Sequence, residues 1–529
     1  MMGANSQART WQETLEDLLT PSVLSMLFLG FSAGIPILLI FSSLSLWLGE
    51  AGIEKKAVTF FSWAALGYSF KFVWAPLIDK LPLPWLTLKL GRRRAWLLVA
   101  QVFIIIAILL MGSIDPSISK NHLTWMALAA VLLGFSSATQ DIVIDAYRIE
   151  IAEARLQALL SSTYIVGYRI AMLVAGAGAL YIASLLGTSK ENYIYSAWQI
   201  AYYIMAGCML LGVLTTLTIS EPKQNRVGQH HYTTHDYLRL VVLFALAVIV
   251  FVSSFFLLSP SMLALKDVFD AGILLGFLLE SGRFILSIAL ALLFGYLLVT
   301  VGLVNKTIAY ETWIEPILDF FKRYGLKTAL LLLALVGFYR ISDIVLGVIS
   351  NVFYQHQGFS KPEIATAIKT FGLFMTIFGG ILGGIIATRF GVMLTLLLGA
   401  ILSALSNMLF IWLAYAGRDL PVLYTVVTVD NLAAGFASAA FIAFLSSLTS
   451  VSFTAVQYAI FSSLMTLIPK VIGGYSGTIT EAIGYPAFFS FTTLLGIPVI
   501  VLVVLAWTHL DHKTPEDKTE NKLESSSAN

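Results

Sequence analysis

The feature that most constrains this chain is the recurrence, along almost its whole length, of apolar runs about 20 residues long, which is what an α-helix needs to cross a bilayer. Reading the runs between charged or Pro/Gly breaks gives spans at 22–48, 57–79, 93–113, 122–146, 155–186, 194–219, 237–260, 271–303, 327–354, 363–388, 391–416, 421–449, 454–480 and 485–509. Composition agrees: 58% of the 529 residues are hydrophobic and 12% are charged, against about half and a quarter in soluble domains. The expectation is an all-α polytopic membrane protein with 14 transmembrane helices.

The polar remainder excludes several classes. Net charge is +2, so there is no basic footprint for nucleic acid. Cys208 is the only cysteine, so the chain can form no internal disulfide or cysteine metal site. His230, His231 and His235 cluster in a polar loop and read as solvated rather than metal-binding. His122, His356 and His509 lie at span ends, leaving no histidine at mid-membrane depth for a membrane acyltransferase. No enzyme, metal or cofactor is expected. Residues 510–529 are polar and read as a disordered tail.

Basic residues in short loops set orientation. The loop after the second span carries Lys80, Lys89, Arg92, Arg93 and Arg94, whereas 114–121 and 187–193 each carry one Lys and one acid. Residues 1–21 and the C-terminus are therefore placed in the cytoplasm. The stretch 308–324 puts Trp313, Ile317, Phe320 and Phe321 roughly on one face and reads as an interfacial amphipathic helix.

An internal repeat organises the spans. Shifting the chain by 301 positions superimposes Gly134, Phe135, Ser137 and Ala138 on Gly435, Phe436, Ser438 and Ala439. It also places Ala158, Ser161, Ser162 and Arg169 on Ala459, Ser462, Ser463 and Lys470. Two six-helix halves in parallel repeat, at 22–220 and 327–509, resemble the major facilitator superfamily. On that reading 221–304 is a linker with two extra transmembrane helices, and 305–326 holds the cytoplasmic amphipathic helix. The block Ala75–Asp79 followed by GRRR resembles that superfamily's loop signature, echoed by Arg389 and Gly391.

A charge at the bilayer centre costs at least about 2.5–3.5 kcal/mol and marks function by default. Counting about 1.5 Å per residue, Lys71, Arg169, Arg340 and Lys470 all fall near the midplane, opposed at that depth by Asp343 alone, with Asp430 further out. Four such cations predict an anionic ligand held by arginine forks and lysine point charges. Gln140, Asn431 and Gln457 are expected to add neutral hydrogen bonds. Tyr68 and Tyr168 are either packing residues or platforms for a sugar face. Glu280 and Arg283, in the second extra helix, are expected to neutralise each other.

In ATQDIVIDAYRIEI (138–151), Asp141, Asp145 and Arg148 fall at i, i+4 and i+7 on one stripe. Asp141, Asp343 and Asp430 are the proton-carrying candidates, though Asp141 fits a structural network equally well. Asp145 and Arg148 are expected to join Asp79, Arg92, Arg93 and Arg94 in a latch closing the cytoplasmic side.

That run, the YSFKFVWAPLID…GRRRAWLL block, YRISDIVLGVISNVFYQHQGFSKPEIATAIKTFG and the opening LSMLFLGFSAGIPILLIFSSLSLWLGEAGI resemble the AmpG family of muropeptide permeases, over about residues 20–509. The resemblance implies a bacterial inner-membrane symporter. It would bring N-acetylglucosaminyl-1,6-anhydro-N-acetylmuramyl peptides, anionic amino-sugar peptides, in with protons for peptidoglycan recycling, linked to β-lactamase induction. Monomer is the default for such a fold. The loop at 80–90 is longer than the superfamily signature, and GYRIAMLVAGAGAL lacks the proline of an antiporter signature, which favours symport. The competing reading is a carrier for another anionic metabolite, such as an acetyl-coenzyme A-like or sugar-phosphate substrate.

Overall fold

Every regular element among the described residues is helical. The computed structural model describes residues 16–17, 19–53, 61, 66–153, 156–189, 191–222, 232–269, 273–473 and 475–526. His230 and His231 lie outside them. Among the described residues, thirteen helices are long and apolar enough to cross a membrane.

We label the elements in chain order. α1 is Pro21–Glu50. α2 comprises the short pieces Leu66–Phe70, Lys71–Val73 and Ala75–Lys80. α3 is Arg92–Gly112, α4 Lys120–Ile151, α5 Gln157–Leu185 and α6 Tyr195–Thr218. α7 is Thr234–Val268 and α8 Ile273–Thr300. α9 joins Lys306–Ala309, Tyr310–Ile314 and Glu315–Tyr324. α10 is Leu326–Ser350, α11 Thr366–Phe390, α12 Val392–Ala416, α13 Leu420–Leu448, α14 Thr454–Gly473 and α15 Tyr485–Ser526.

Thirteen candidates rather than fourteen spans follows from α2. Part of the expected 57–79 span lies outside the described residues, and the rest is broken by a 3₁₀ turn at Lys71–Val73. Pro76 explains the break, since it lacks the N–H that would bond the Phe72 carbonyl. A second difference is at the C-terminus. Helix α15 continues to Ser526, through the stretch expected to be disordered. Its lysines and glutamates are good helix formers and propagate a helix that the preceding apolar span has already nucleated.

The chain divides into two compact units. One comprises Met1–Ile78, Pro82–Gln224 and Arg323–Asn529, and the other Asp79–Leu81 and Asn225–Lys322. In the first unit, helices meet through glycines. On α1, a Cβ at Gly30 would lie 2.2 Å from the Tyr164 carbonyl oxygen and one at Gly34 2.3 Å from that of Tyr168. On α5, a Cβ at Gly167 would lie 1.9 Å from the Leu27 oxygen. Helices α11 and α13 repeat the device, Gly379 against Leu432 and Gly435 against Thr376. This is the small-residue packing that lets membrane helices approach backbone to backbone. Gly91 and Gly391, which open α3 and α12, share positive φ values of 84° and 91°, a turn that favours glycine.

Gly167→Val is expected to force α1 and α5 apart, an overpacking cost of about 1–3 kcal/mol or more. The readout is thermal melting in detergent; a variant that melts with the parent would show this crossing to be loose.

The second unit holds a helical hairpin, α7 with α8, that buries little. Its membrane-depth charges satisfy one another: Glu280 accepts from Lys266 Nζ at 2.5 Å and from Arg283 Nη2 at 2.6 Å. The Arg283 guanidinium lies 4.0 Å from the Phe255 ring centroid. Lys80 pairs with Glu311 at 2.6 Å.

Candidate functional site

Lys71 lies at the break in α2 and is buried. Its ammonium pairs with Asp141 Oδ2 and lies 3.4 Å from Asp145 Oδ2. Tyr164 OH donates to the other Asp141 oxygen at 3.0 Å, and Arg148 Nη2 donates to Asp145 Oδ1 at 3.2 Å. The predicted stripe on α4 therefore acts as one surface. Two cations face two carboxylates, which corrects the expectation that Lys71 stands uncompensated: its partners are on α4, about 70 positions away.

From Asp145 the network runs across the halves. Arg148 Nη1 donates to Ser161 Oγ and to Ser446 Oγ, both at 2.8 Å, and its guanidinium lies 5.0 Å from the Tyr458 ring centroid. Ser446 and Tyr458 sit on α13 and α14. Where α5 meets α11, Ser162 Oγ donates to the Gly380 carbonyl at 2.8 Å.

A second polar group sits in the other half. Arg340 bonds Ser438 and lies 3.2 Å from Asp343 Oδ2, while Ser406 Oγ donates to Asp430 at 3.2 Å. Asp430 is within electrostatic reach of both Asp343 and Arg340.

The neutral residues are drawn into the framework. Gln140 is fully buried and accepts from Ser32 of α1 at 2.9 Å. Asn431 ties α13 to α11, accepting from Thr376 at 2.9 Å. Gln457 accepts from Arg323 and from the Ser450 N–H, both at 2.8 Å, and so closes the turn before α14. Each of these three amides spends its oxygen on helix or loop packing. Tyr68 packs on the hydrophobic cluster of the first half. Tyr168 is half-buried, its ring 6.0 Å from that of Tyr164.

At the end of the bundle where α4 stops and α3, α5 and α14 begin, Arg93 and Glu150 form a buried fork. Nη2 to Oε1 is 2.6 Å and Nε to Oε2 is 3.0 Å. Arg93 also donates to Thr454 Oγ1 at 2.7 Å, and Thr454 bonds the same carboxylate, so the fork reaches across to α14. Arg94 does something else: it donates to the Thr216 and Leu217 carbonyls at 2.9 and 2.7 Å and so satisfies the end of α6. Glu221 accepts from the Arg93 and Arg94 N–H groups and caps α3. Asp79 is buried and Arg92 half-buried, and both have partners.

Glu150 is an acid that sequence patterning does not single out. It lies two residues beyond Arg148, off the 141–145–148 stripe, and its partner stands in a basic run whose evident meaning is orientation. Ser438 and Ser446 carry no polar signal either, because serines in small-residue helices look like packing positions.

Arg169 and Lys470 are what remain of the cation excess. Neither has a carboxylate partner among the described residues. Arg169 Nη1 contacts Met172 Sδ at 3.8 Å and Lys470 Nζ approaches Ser69 Oγ at 3.4 Å. Arg169 is within electrostatic reach of Arg340. The two unpaired cations are the same repeat position, one per half.

Comparison with known proteins adds the family. The model of the Major Facilitator Superfamily matches residues 22–310 and 322–528. A Rickettsia conorii protein named as transporter AmpG 4 is 28% identical over 476 residues, covering 90% of this chain and 94% of that protein. The anhydromuropeptide permease of Escherichia coli K12 is 27% identical over 493 residues, covering 93% and 81%. Among solved structures, the proton:xylose symporter XylE superposes with a TM-score of 0.55 at 12% identity, covering 94% and 96%, which speaks to fold alone.

Proposed function

The chain belongs to the major facilitator superfamily and is a multi-pass membrane transporter rather than an enzyme, and from that premise we propose that it imports anhydro-muropeptides across the bacterial inner membrane, driven by protons. The observation that carries the cargo class is the pair Arg169 and Lys470, two cations without a carboxylate partner among the described residues, at equivalent places in the two halves. A muropeptide offers several carboxylates, so one ligand would span both halves. Binding would then be strongest when the halves close around it, as alternating access requires. Tyr168 would stack on a sugar face beside Arg169. Relatives named for this cargo over most of the chain support the reading. The same cargo would connect the transporter to peptidoglycan recycling and β-lactamase induction.

With Arg92–Arg94 on the cytoplasmic side, both termini are cytoplasmic. The contacts from Arg93, Arg148 and Ser162 across the halves then close the cytoplasmic side, which is the outward-facing state. For the proton we favour Asp141 over Asp343 and Asp430. Its side chain is 19% exposed while Asp145 is 9% exposed and held by two cations. Protonating Asp141 would free Lys71 to lean on Asp145 and loosen its hold on Arg148, the residue that reaches α13 through Ser446.

Uptake of labelled anhydro-muropeptide into membrane vesicles is expected to follow an imposed inward proton gradient and stop when it collapses. Asp141→Asn is expected to lose gradient-driven uptake yet keep counterflow exchange. Uptake indifferent to the gradient would remove the coupling. Competition by coenzyme A esters or sugar phosphates, but not by muropeptide, would replace the cargo.

A further inference from the structure

The loop that leads into α3, longer than the superfamily signature, is a built turn. Thr87 locks it from both sides: its hydroxyl accepts from the Leu83 N–H at 2.8 Å, and its own N–H donates to the Leu83 carbonyl at 3.0 Å. The Leu86 N–H bonds the Pro84 carbonyl at 2.7 Å. Gly91, at φ of 84°, donates to the Thr87 carbonyl at 2.9 Å and turns the chain into α3.

Trp85 stands at the apex with φ of 65°, the only non-glycine residue with positive φ among the described residues. A bulky side chain holds that conformation only where its surroundings over-determine it. The result is an indole turned outward: Trp85 is 65% exposed, and Leu88, three residues on, is 89% exposed. Lys89 is exposed too, and its Nζ lies 4.0 Å from the indole ring centroid. It makes no ion pair among the described residues. Glu221, the acid packed against Gly91, is engaged by the Arg93 and Arg94 N–H groups. The turn thus presents an aromatic ring, an aliphatic side chain and an ammonium together.

The depth of this turn follows from α3. From Ala95 to Gly112, α3 is about 27 Å of helix, close to the hydrocarbon thickness of a bilayer. The three arginines before Ala95 mark where that layer ends. Gly91 alone separates them from the helical turn Leu86–Leu90, so Trp85, Leu88 and Lys89 fall at headgroup level. There an indole sits at the acyl boundary and a lysine meets lipid phosphate.

We propose that the 82–90 loop is a lipid-binding anchor whose occupant is an anionic phospholipid. Lys89 takes the headgroup phosphate, and Trp85 and Leu88 rest on the acyl boundary below it. On the orientation given under Proposed function the lipid belongs to the inner leaflet. Its seat fixes the start of α3, two residues from Arg93 and the buried fork with Glu150.

The test uses the full chain with Cys208→Ser and a spin label at Leu88→Cys, in phosphatidylcholine vesicles with and without phosphatidylglycerol. The label is expected to be more accessible to oxygen than to a neutral, water-soluble nickel relaxant. The reverse, or shielding from both by protein, would overturn the anchor. Phosphatidylglycerol is expected to lower nickel access roughly fivefold, the bias that one lysine at an anionic surface confers. Lys89→Gln should abolish that difference and leave the phosphatidylcholine value unchanged; a difference that survives would overturn the phosphate contact. Trp85→Gly separates anchoring from folding. Glycine adopts φ of 65° freely, so this variant should melt with the parent while nickel access to the Leu88 label rises at least fivefold. A label that keeps its lipid-like accessibility in Trp85→Gly would overturn the indole as the anchor.

Discussion

Glu150→Gln is expected to lower the melting temperature strongly and to reduce substrate uptake at least tenfold. Both side chains of the Arg93–Glu150 fork are essentially buried, at 0% and 1% exposure. Removing one partner of such a buried pair costs about 3–5 kcal/mol. Converting both partners to apolar residues is often neutral or better, so Arg93→Met with Glu150→Leu is expected to recover the melting temperature but not uptake. Thr454→Val isolates the cross-half contact. It leaves the Arg93–Glu150 ion pair in place but removes the hydroxyl that accepts from Arg93 and donates to Glu150, two hydrogen bonds to charged groups at about 1.5–3 kcal/mol each, so melting should fall while that end of the bundle opens more readily to thiol reagents at engineered cysteines. A Glu150→Gln protein that melts and transports like the parent would remove the latch altogether.

The spans and the 301-residue repeat are legible in the amino-acid sequence because both rest on local or self-similar patterns: apolar run length, and small residues such as Gly134 and Gly435 recurring in register. The broken α2 is not legible there, since a window containing Lys71 and Pro76 still reads as apolar. The candidate site divides along the same line. Depth along a helix is a one-dimensional quantity, so Lys71, Arg169, Arg340 and Lys470 emerge by counting. Pairing is three-dimensional. Asp343 can be matched to Arg340 because they are three residues apart, whereas Lys71 and Asp141 meet only through the packing of α2 on α4. Glu150 and Thr454, separated by 304 positions, carry no mutual signal at all. Counting along helices finds the charges; the fold decides which of them are already spent.

The same distinction yields the second large effect. Lys71→Met is expected to destabilise the protein by about 3–5 kcal/mol, because it strands buried carboxylates. Asp145 would keep Arg148, but Asp141 would keep only the Tyr164 hydroxyl. Adding Asp141→Asn removes the stranded charge, so the double variant should melt near the parent. On the reading that Lys71 serves the aspartates it pairs with, the double variant's counterflow exchange should retain the parental KM. Arg169→Gln and Lys470→Gln should behave oppositely. Neither breaks an ion pair, so melting should stay put, while KM rises roughly tenfold or more as a charge-assisted hydrogen bond to the ligand is lost, about 1.5–3 kcal/mol. Melting curves and exchange KM on these four proteins separate counter-ion from ligand partner. If Lys71→Met melts like the parent and raises KM alone, Lys71 belongs to the ligand and its pairing with Asp141 is only the resting arrangement of an empty site.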